Sequence, residues 1–399
     1  MRNQTNQKQT RQYDIDWLRI LLIGSVFLYH IGMIFNSWDW HIKNDVTYGS
    51  QSALWYVMTL LGCWRMPLLI LISGAGTYFA LGRRTSWQFL KERFKRLFIP
   101  LVVGIFGLVP IQVYLEKSAE YQSLAEFYLH MFDGVYPEGN FSWHHLWFIA
   151  YLFFIAVLIS PFLKFLRSNR ANAFYITLEH LAMRRMGANI FLVPIVASQL
   201  LLRPYFPENT HALLDDWAAL AYYGLFFLSG FLLIKNRRLN DRLRELKYGY
   251  LTEAIVASGC LFLIPDSIES VLLSKAVLLV CEAVVAWSWA LTALGFARQY
   301  LNCDNRFRRI ANEAIYPFYL LHQPVIVMVA YEVVQWDLAL GWKALTITLL
   351  AFIGTSLIYW FLVRPYQLTR LCFGMKPLER KTEVKFSSFA IYAHQKQAI

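Results

Sequence analysis

Apolar residues along this chain fall into long unbroken runs rather than the short alternations of water-soluble strands and helices. Ten runs approach the ~20 residues that cross a hydrocarbon core as a helix. They are Trp17 to Phe35, Ala53 to Leu81, Leu97 to Leu115, Leu146 to Leu166, Gly187 to Leu202, Trp217 to Ile234, Tyr250 to Ile264, Ala276 to Ala297, Ala314 to Tyr331 and Leu345 to Val363. The fifth and seventh are short. Hydrocarbon offers peptide groups no outside partner, so each run is expected to be helical. The predicted fold is all-α: a polytopic integral membrane bundle of about ten transmembrane helices, residues 17–363, between tails at 1–16 and 364–399. The first run is too long for a signal-peptide core, and no small-residue cleavage site follows Phe35, so it is read as a retained helix. No repeat or inverted duplication stands out. The outward loop from Glu116 to His145 is the longest, and is the expected lid or acceptor-binding element.

Composition agrees. Of the 399 residues 57% are hydrophobic and 16% charged, against ~25% charged in soluble proteins. Disorder, collagen and disulfide scaffolds are excluded. Cys63, Cys260, Cys281, Cys303 and Cys372 lack metal-ligand spacing, so neither a metal site nor a disulfide framework is expected. The net charge of +12 is compatible with nucleic acid or anionic lipid until it is sorted by side. The tails and the loops after even-numbered runs, together with Lys164 at the end of the fourth run, hold 31 Lys/Arg against 10 Asp/Glu; the opposite loops hold five, Lys43, Lys117, Arg203, Lys275 and Lys343, against 14 acidic residues. The positive-inside rule therefore puts both termini in the cytoplasm and requires an even number of spans. The charge is a topology signal, and no nucleic-acid partner is expected.

Ionisable groups inside the runs are costly and mark candidate chemistry. Arg19 and His30 are eleven residues apart, three turns and ~20°, so they share a face of the first helix about 16 Å apart. The bland alternative is a snorkelling Arg and a hydrogen-bonded His. Arg65, in Trp64-Arg65-Met66-Pro67, is about 24 Å of helix from Leu81; its structural alternative is an ion pair with Glu282 or bonds to free carbonyls. Ser73-Gly74-Ala75-Gly76 permits a kink or close helix approach. Arg93 and Arg96 are expected to share a face at the cytoplasmic start of the third run, where a guanidinium pair suits a phosphate, although a basic inward loop also explains them. His145 and Trp147 open the fourth run, in an aromatic belt. Tyr319 and His322 lie at i and i+3 near mid-membrane in the ninth, beside Pro317 and Pro324. Glu253 is near a helix end and Glu282 deeper. His41, His130, His180, His211 and His394 fall in loops or tails and receive no role.

Taken in order, Asp16-Trp17-Leu18-Arg19 with His30, Arg65-Met66-Pro67 with Ser73-Gly74, Arg93-x-x-Arg96, His145-Leu146-Trp147-Phe148, Tyr319-Leu320-Leu321-His322-Gln323-Pro324 and Arg364-Pro365 resemble the membrane-bound acyltransferase-3 family over nearly the whole chain. Asn36-Ser37-Trp38-Asp39-Trp40-His41 is similar to a subgroup that succinylates periplasmic glucans. The family resemblance implies transfer of an acyl group, acetyl or succinyl, from cytoplasmic acyl-CoA to a hydroxyl of an extracytoplasmic or lipid-linked glycan. The subgroup resemblance implies a multi-pass protein of the bacterial inner membrane acting on periplasmic glucans. On that reading Arg93 and Arg96 take the CoA phosphates, and Arg19 lines the path of the pantetheine arm. His30 is general base or acyl relay, Arg65 or Tyr319 stabilises the oxyanion, His322 orients the acceptor or shares the proton, and His145 and Trp147 contact the acceptor. The competing readings are a transporter or flippase for a glycan or lipid-linked precursor, and a sensor that only binds acyl-CoA or glycan.

Overall fold

Peptide groups that have no solvent to bond must bond within their own segment, and in the computed structural model all ten apolar runs lie on helices. The structure describes residues 12–378 except 82–83, 167, 185, 208–209, 214 and 265–266. Most of the N-terminal tail, the end of the C-terminal tail and His394 lie outside the described residues. In chain order the helices are α1 (Tyr13–Phe35), α2 (Ala53–Leu81), α3 (Ser86–Glu116), α4 (His144–Phe162), α5 (Gly187–Leu202), α6 (Trp217–Lys235), α7 (Lys247–Leu263), α8 (Val271–Tyr300), α9 (Arg306–Val333) and α10 (Leu340–Val363). Among the described residues there is no strand. All but α5 and α7, the two short runs, are long and apolar enough to cross a membrane. Helices α3, α8 and α9 extend past their apolar runs because polar turns with good caps continue them. Thr85 and Gln88 form a capping box at the start of α3, and Ser270 and Asn305 cap α8 and α9.

Helix α1 is central, packed on α2, α8 and α9, and α2 lies along α6. The small residues of α2 set that last crossing. A Cβ on Gly74 would lie 1.9 Å from Phe227 O, and one on Gly230 the same distance from Leu71 O, so the two backbones touch where only glycine fits.

Ion pairs tie one end of the bundle together. Arg308 of α9, buried, reaches Asp16 of α1 at 2.5 Å and Asp304 at 2.7 Å, Arg298 of α8 reaches Asp14, and Arg370, beyond α10, reaches Glu313. The first and last helices therefore begin and finish at the same end, as an even number of crossings requires. At the opposite end four of the cations are tethers. Lys43 donates to the carbonyls of Met33, Asn36 and Trp38, Lys117 to Gly139 O and Asn140 Oδ1, and Lys343 to Val334 O and Asn44 Oδ1. Arg203 meets the fully buried Asp216, which also caps α6 through Ala219 N. The long loop before α4 carries its own helix, Leu124–Leu129, and is pinned by Asn140.

Candidate active site

Pro324 is the starting point, because a proline inside a helix has no N–H for the carbonyl four residues earlier. That carbonyl, Leu320 O, takes instead a hydrogen bond from His145 Nε2–H at 3.1 Å, which joins the start of α4 to the middle of α9. Tyr319 donates its O–H to His145 O, a second tie between the same elements. With Nε2 protonated, the neutral His145 ring carries its lone pair on Nδ1, which is buried without a partner.

Two residues beyond Leu320, His322 faces α1. Its Nδ1 lies 2.6 Å from Tyr319 O and its Nε2 lies 2.9 Å from His30 Nδ1. A carbonyl only accepts, so Nδ1 of His322 carries the proton. In the neutral ring Nε2 is then the acceptor, and His30 must donate from Nδ1. The chain of donors leaves the lone pair of His30 on Nε2. The two rings lie parallel, at 4° with centroids 5.0 Å apart, and the His145 ring stands edge-on to His322 at 5.5 Å. Trp40 covers His30 at 6.1 Å.

Arg65 reaches the same region from α2. Its guanidinium lies 3.6 Å above the ring of Tyr29, the neighbour of His30, and Nε and Nη1 are buried without hydrogen-bond partners. It is not paired with Glu282, the structural alternative the sequence suggested, because the crossing of α1 and α2 turns it onto an aromatic face. Glu253 accepts twice from Asn189 and stands apart from the site.

The basic end holds the other arginines. Arg19 lies beside Gly76 of α2, with Asp16 at 3.8 Å. Arg93 donates to Thr77 Oγ1 at 3.0 Å and lies over Phe89, whereas Arg96 pairs with Glu92, which also holds Arg84 at 2.8 Å. Residues Phe94–Phe98 form a π-helical turn, so Arg93 lies at its start and Arg96 within it. Glu92 joins Arg96 to Arg84. Trp147 packs on His211 and Tyr223, at 4.0 and 5.2 Å, away from His30.

The residue that sequence reasoning missed is His41. Its Nδ1 is 2.5 Å from Glu116 Oε2, its Nε2 is 3.2 Å from Gln323 Nε2, and His144 stands edge-on to it at 4.4 Å. Tyr136 donates to the other Glu116 oxygen at 3.0 Å; burial and that carboxylate push its phenol well above the usual range, so it stays a donor. The only local hint was the tryptophan-rich stretch Asn36–His41, since Glu116 lies 75 positions away. Among the described residues no group of three His, Cys, Asp or Glu side chains has the geometry to hold a metal ion.

Comparison with known proteins places the chain in a family. A family model described as an acyltransferase domain, that of the acyltransferase-3 family, matches residues 12–364. Similar relatives are the glucans biosynthesis protein C of Escherichia coli K12, 26% identical over 170 residues, and that of Shigella dysenteriae serotype 1, 25% identical over the same length. The matched segment covers 41% of this chain and 42% of each relative. No solved structure matches the chain significantly. The family match covers the polar residues of α1, α2, α3, α4 and α9 together, and the chain therefore belongs to the acyltransferase-3 family.

Proposed function

We propose that the protein transfers an acyl group, acetyl or succinyl, from cytoplasmic acyl-CoA to a hydroxyl of an extracytoplasmic glycan, in the manner its glucan-biosynthesis relatives suggest, in a bacterial inner membrane. The observation that carries the reading is the tautomer chain from Tyr319 O through His322 to His30, which leaves a lone pair on His30 Nε2, while Arg65, over the ring of the neighbouring Tyr29, keeps two buried nitrogens without partners. His30 Nε2 takes the proton of the acceptor hydroxyl as its oxygen attacks the thioester carbonyl. The C–O bond forms, and the oxyanion develops against Arg65 Nε and Nη1. Collapse breaks the C–S bond, and the thiolate receives the proton from His30. Tyr319, whose O–H is engaged by His145 O, is a positioning residue, and Arg65 is the oxyanion donor. His145, through Nδ1, orients the acceptor. The basic end faces the cytoplasm, where Arg19, Arg93 and Arg96 attract the phosphates of the donor.

The test is purified protein with labelled acetyl- or succinyl-CoA and oligosaccharide glucans, scored for label on the glycan. His30→Ala, monodisperse and inserted normally, is expected to lose transfer by ~10²–10⁴-fold. Undiminished transfer rejects the mechanism, and glycan accumulation in vesicles without acylation favours a transporter.

A further inference from the structure

Tyr175 and Glu179 lie four residues apart on the short helix Asn172–Ala182 and so share a face. That face looks into a cavity of about 440 Å³, within the size range of small-molecule sites. Its other walls are Leu232 and Lys235, from the last turn of α6, and Asn236 and Arg238, at the start of the helix Arg237–Glu245. Asn236 caps that helix by accepting from Leu239 N, so the positive end of the helix borders the cavity. Exposed Phe174 and Leu181 lie on the rest of the Asn172–Ala182 surface, as in a helix resting on a membrane interface.

The lining has a definite chemistry. The Lys235 ammonium sits over the Tyr175 ring, 2.9 Å from its centroid. Arg238 is 3.5 Å from Glu179, an exposed pair with little energy of its own. The cavity thus offers one aromatic face, an apolar floor at Leu232 and two cations against a single carboxylate. A flat base stacks on such a face, and a phosphate needs such cations.

Position relates the cavity to the arginines described above. One turn before Lys235, Phe231 packs on Tyr78 of α2 at 5.5 Å, and the neighbour of Tyr78, Thr77, accepts from Arg93. The wall of the cavity at Lys235 and the Arg93 site therefore both lie near the C-terminal end of α2. We propose that this cavity receives the adenosine 3′-phosphate end of the CoA donor, with adenine stacked on Tyr175 and the 3′-phosphate held by Lys235 and Arg238. The inference rests on the donor reading given above and adds to it a nucleotide subsite separate from Arg93 and Arg96. Lys235 leaves the Tyr175 face as the base enters. Glu179 stays engaged by Arg238, and it disfavours a second phosphate here, which leaves the diphosphate to the arginines beside α2.

Equilibrium binding to the full-length protein in neutral detergent, with CoA, 3′-dephospho-CoA and pantetheine, tests this without knowledge of the acyl group or acceptor. Wild-type protein is expected to bind CoA about tenfold more tightly than 3′-dephospho-CoA. Lys235→Ala is expected to weaken CoA about tenfold and erase that preference, and Lys235→Arg to restore it. Tyr175→Leu is expected to weaken both nucleotides while leaving pantetheine unchanged. A full 3′-phosphate preference in Lys235→Ala overturns the subsite alone, and so does an equal loss for pantetheine. So does an effect of Lys235→Ala seen only in vesicles containing anionic lipid, which assigns the cavity to a headgroup. Wild-type protein that binds none of the three overturns the donor reading and the subsite together.

Discussion

His322 has no spare nitrogen: one is bonded to its own helix and the other to His30. Its removal frees His30 to adopt either tautomer, so His322→Ala is expected to lower kcat about 10–100-fold with donor affinity unchanged. Glutamine, whose amide oxygen accepts a hydrogen bond, is expected to recover part of the loss; equal rates in all three proteins would exclude the relay. His211 gives a second residue-scale prediction. Burial against Trp147, helped by the charge of Arg203, lowers its pKa from the usual 6.5 to about 4. Below pH 6.5 the unfolded chain therefore binds a proton that the folded one refuses. The stability contribution is full above that value and falls as pH drops toward 4, by at most about 1.4 kcal/mol per pH unit. His211→Gln should flatten the melting temperature over this window, and an unchanged slope would remove His211 as its cause. At this scale the sequence identified His30, Arg65 and His322 as costly groups in hydrocarbon, but not their partners. Nothing local announced that His41 meets Glu116, or that Arg65 leaves Glu282 for Tyr29.

Among the elements, α9 shows how a helix break becomes a contact. Pro324 frees Leu320 O and His145 occupies it. Pro324→Ala restores an N–H that competes for the same carbonyl, so activity is expected to fall roughly tenfold while the melting temperature holds or rises. A joint fall in both would mean that the proline serves packing alone. The crossing of α2 and α6 is the opposite case, where packing leaves no choice. Gly230→Ala drives a methyl into Leu71 O and is expected to cost about 1–3 kcal/mol, whereas Gly224→Ala, with nothing within 4 Å, should be neutral in the same melts. The glycines of α2 signalled a close approach in the sequence. Its partner was not legible, because every apolar run offers a similar surface. The ends of α3, α8 and α9 were also set short, since hydropathy stops where the hydrocarbon does while a capped helix continues.

For the molecule as a whole, the sided charges predicted an even number of crossings, and the pairs Asp16–Arg308 and Glu313–Arg370 join the ends of the chain at one pole. Cys303 is exposed at that pole, its carbonyl accepting from Trp17 Nε1. A membrane-impermeant maleimide should label Cys303 in inside-out vesicles and spare it in right-side-out ones, and the reverse pattern would invert the assigned orientation. By itself the sequence determined the class of fold, the helical segments and the polar residues held within the membrane. These follow from hydrophobic length and from peptide hydrogen bonding, both of which are local along the chain. Only the tertiary structure decided which groups meet. His30 and His322 are 292 positions apart, and the nitrogen that keeps its lone pair is fixed by a carbonyl of a third residue. Such choices depend on how each helix is rotated against its neighbours, and hydropathy, which is nearly uniform around these helices, does not encode that rotation.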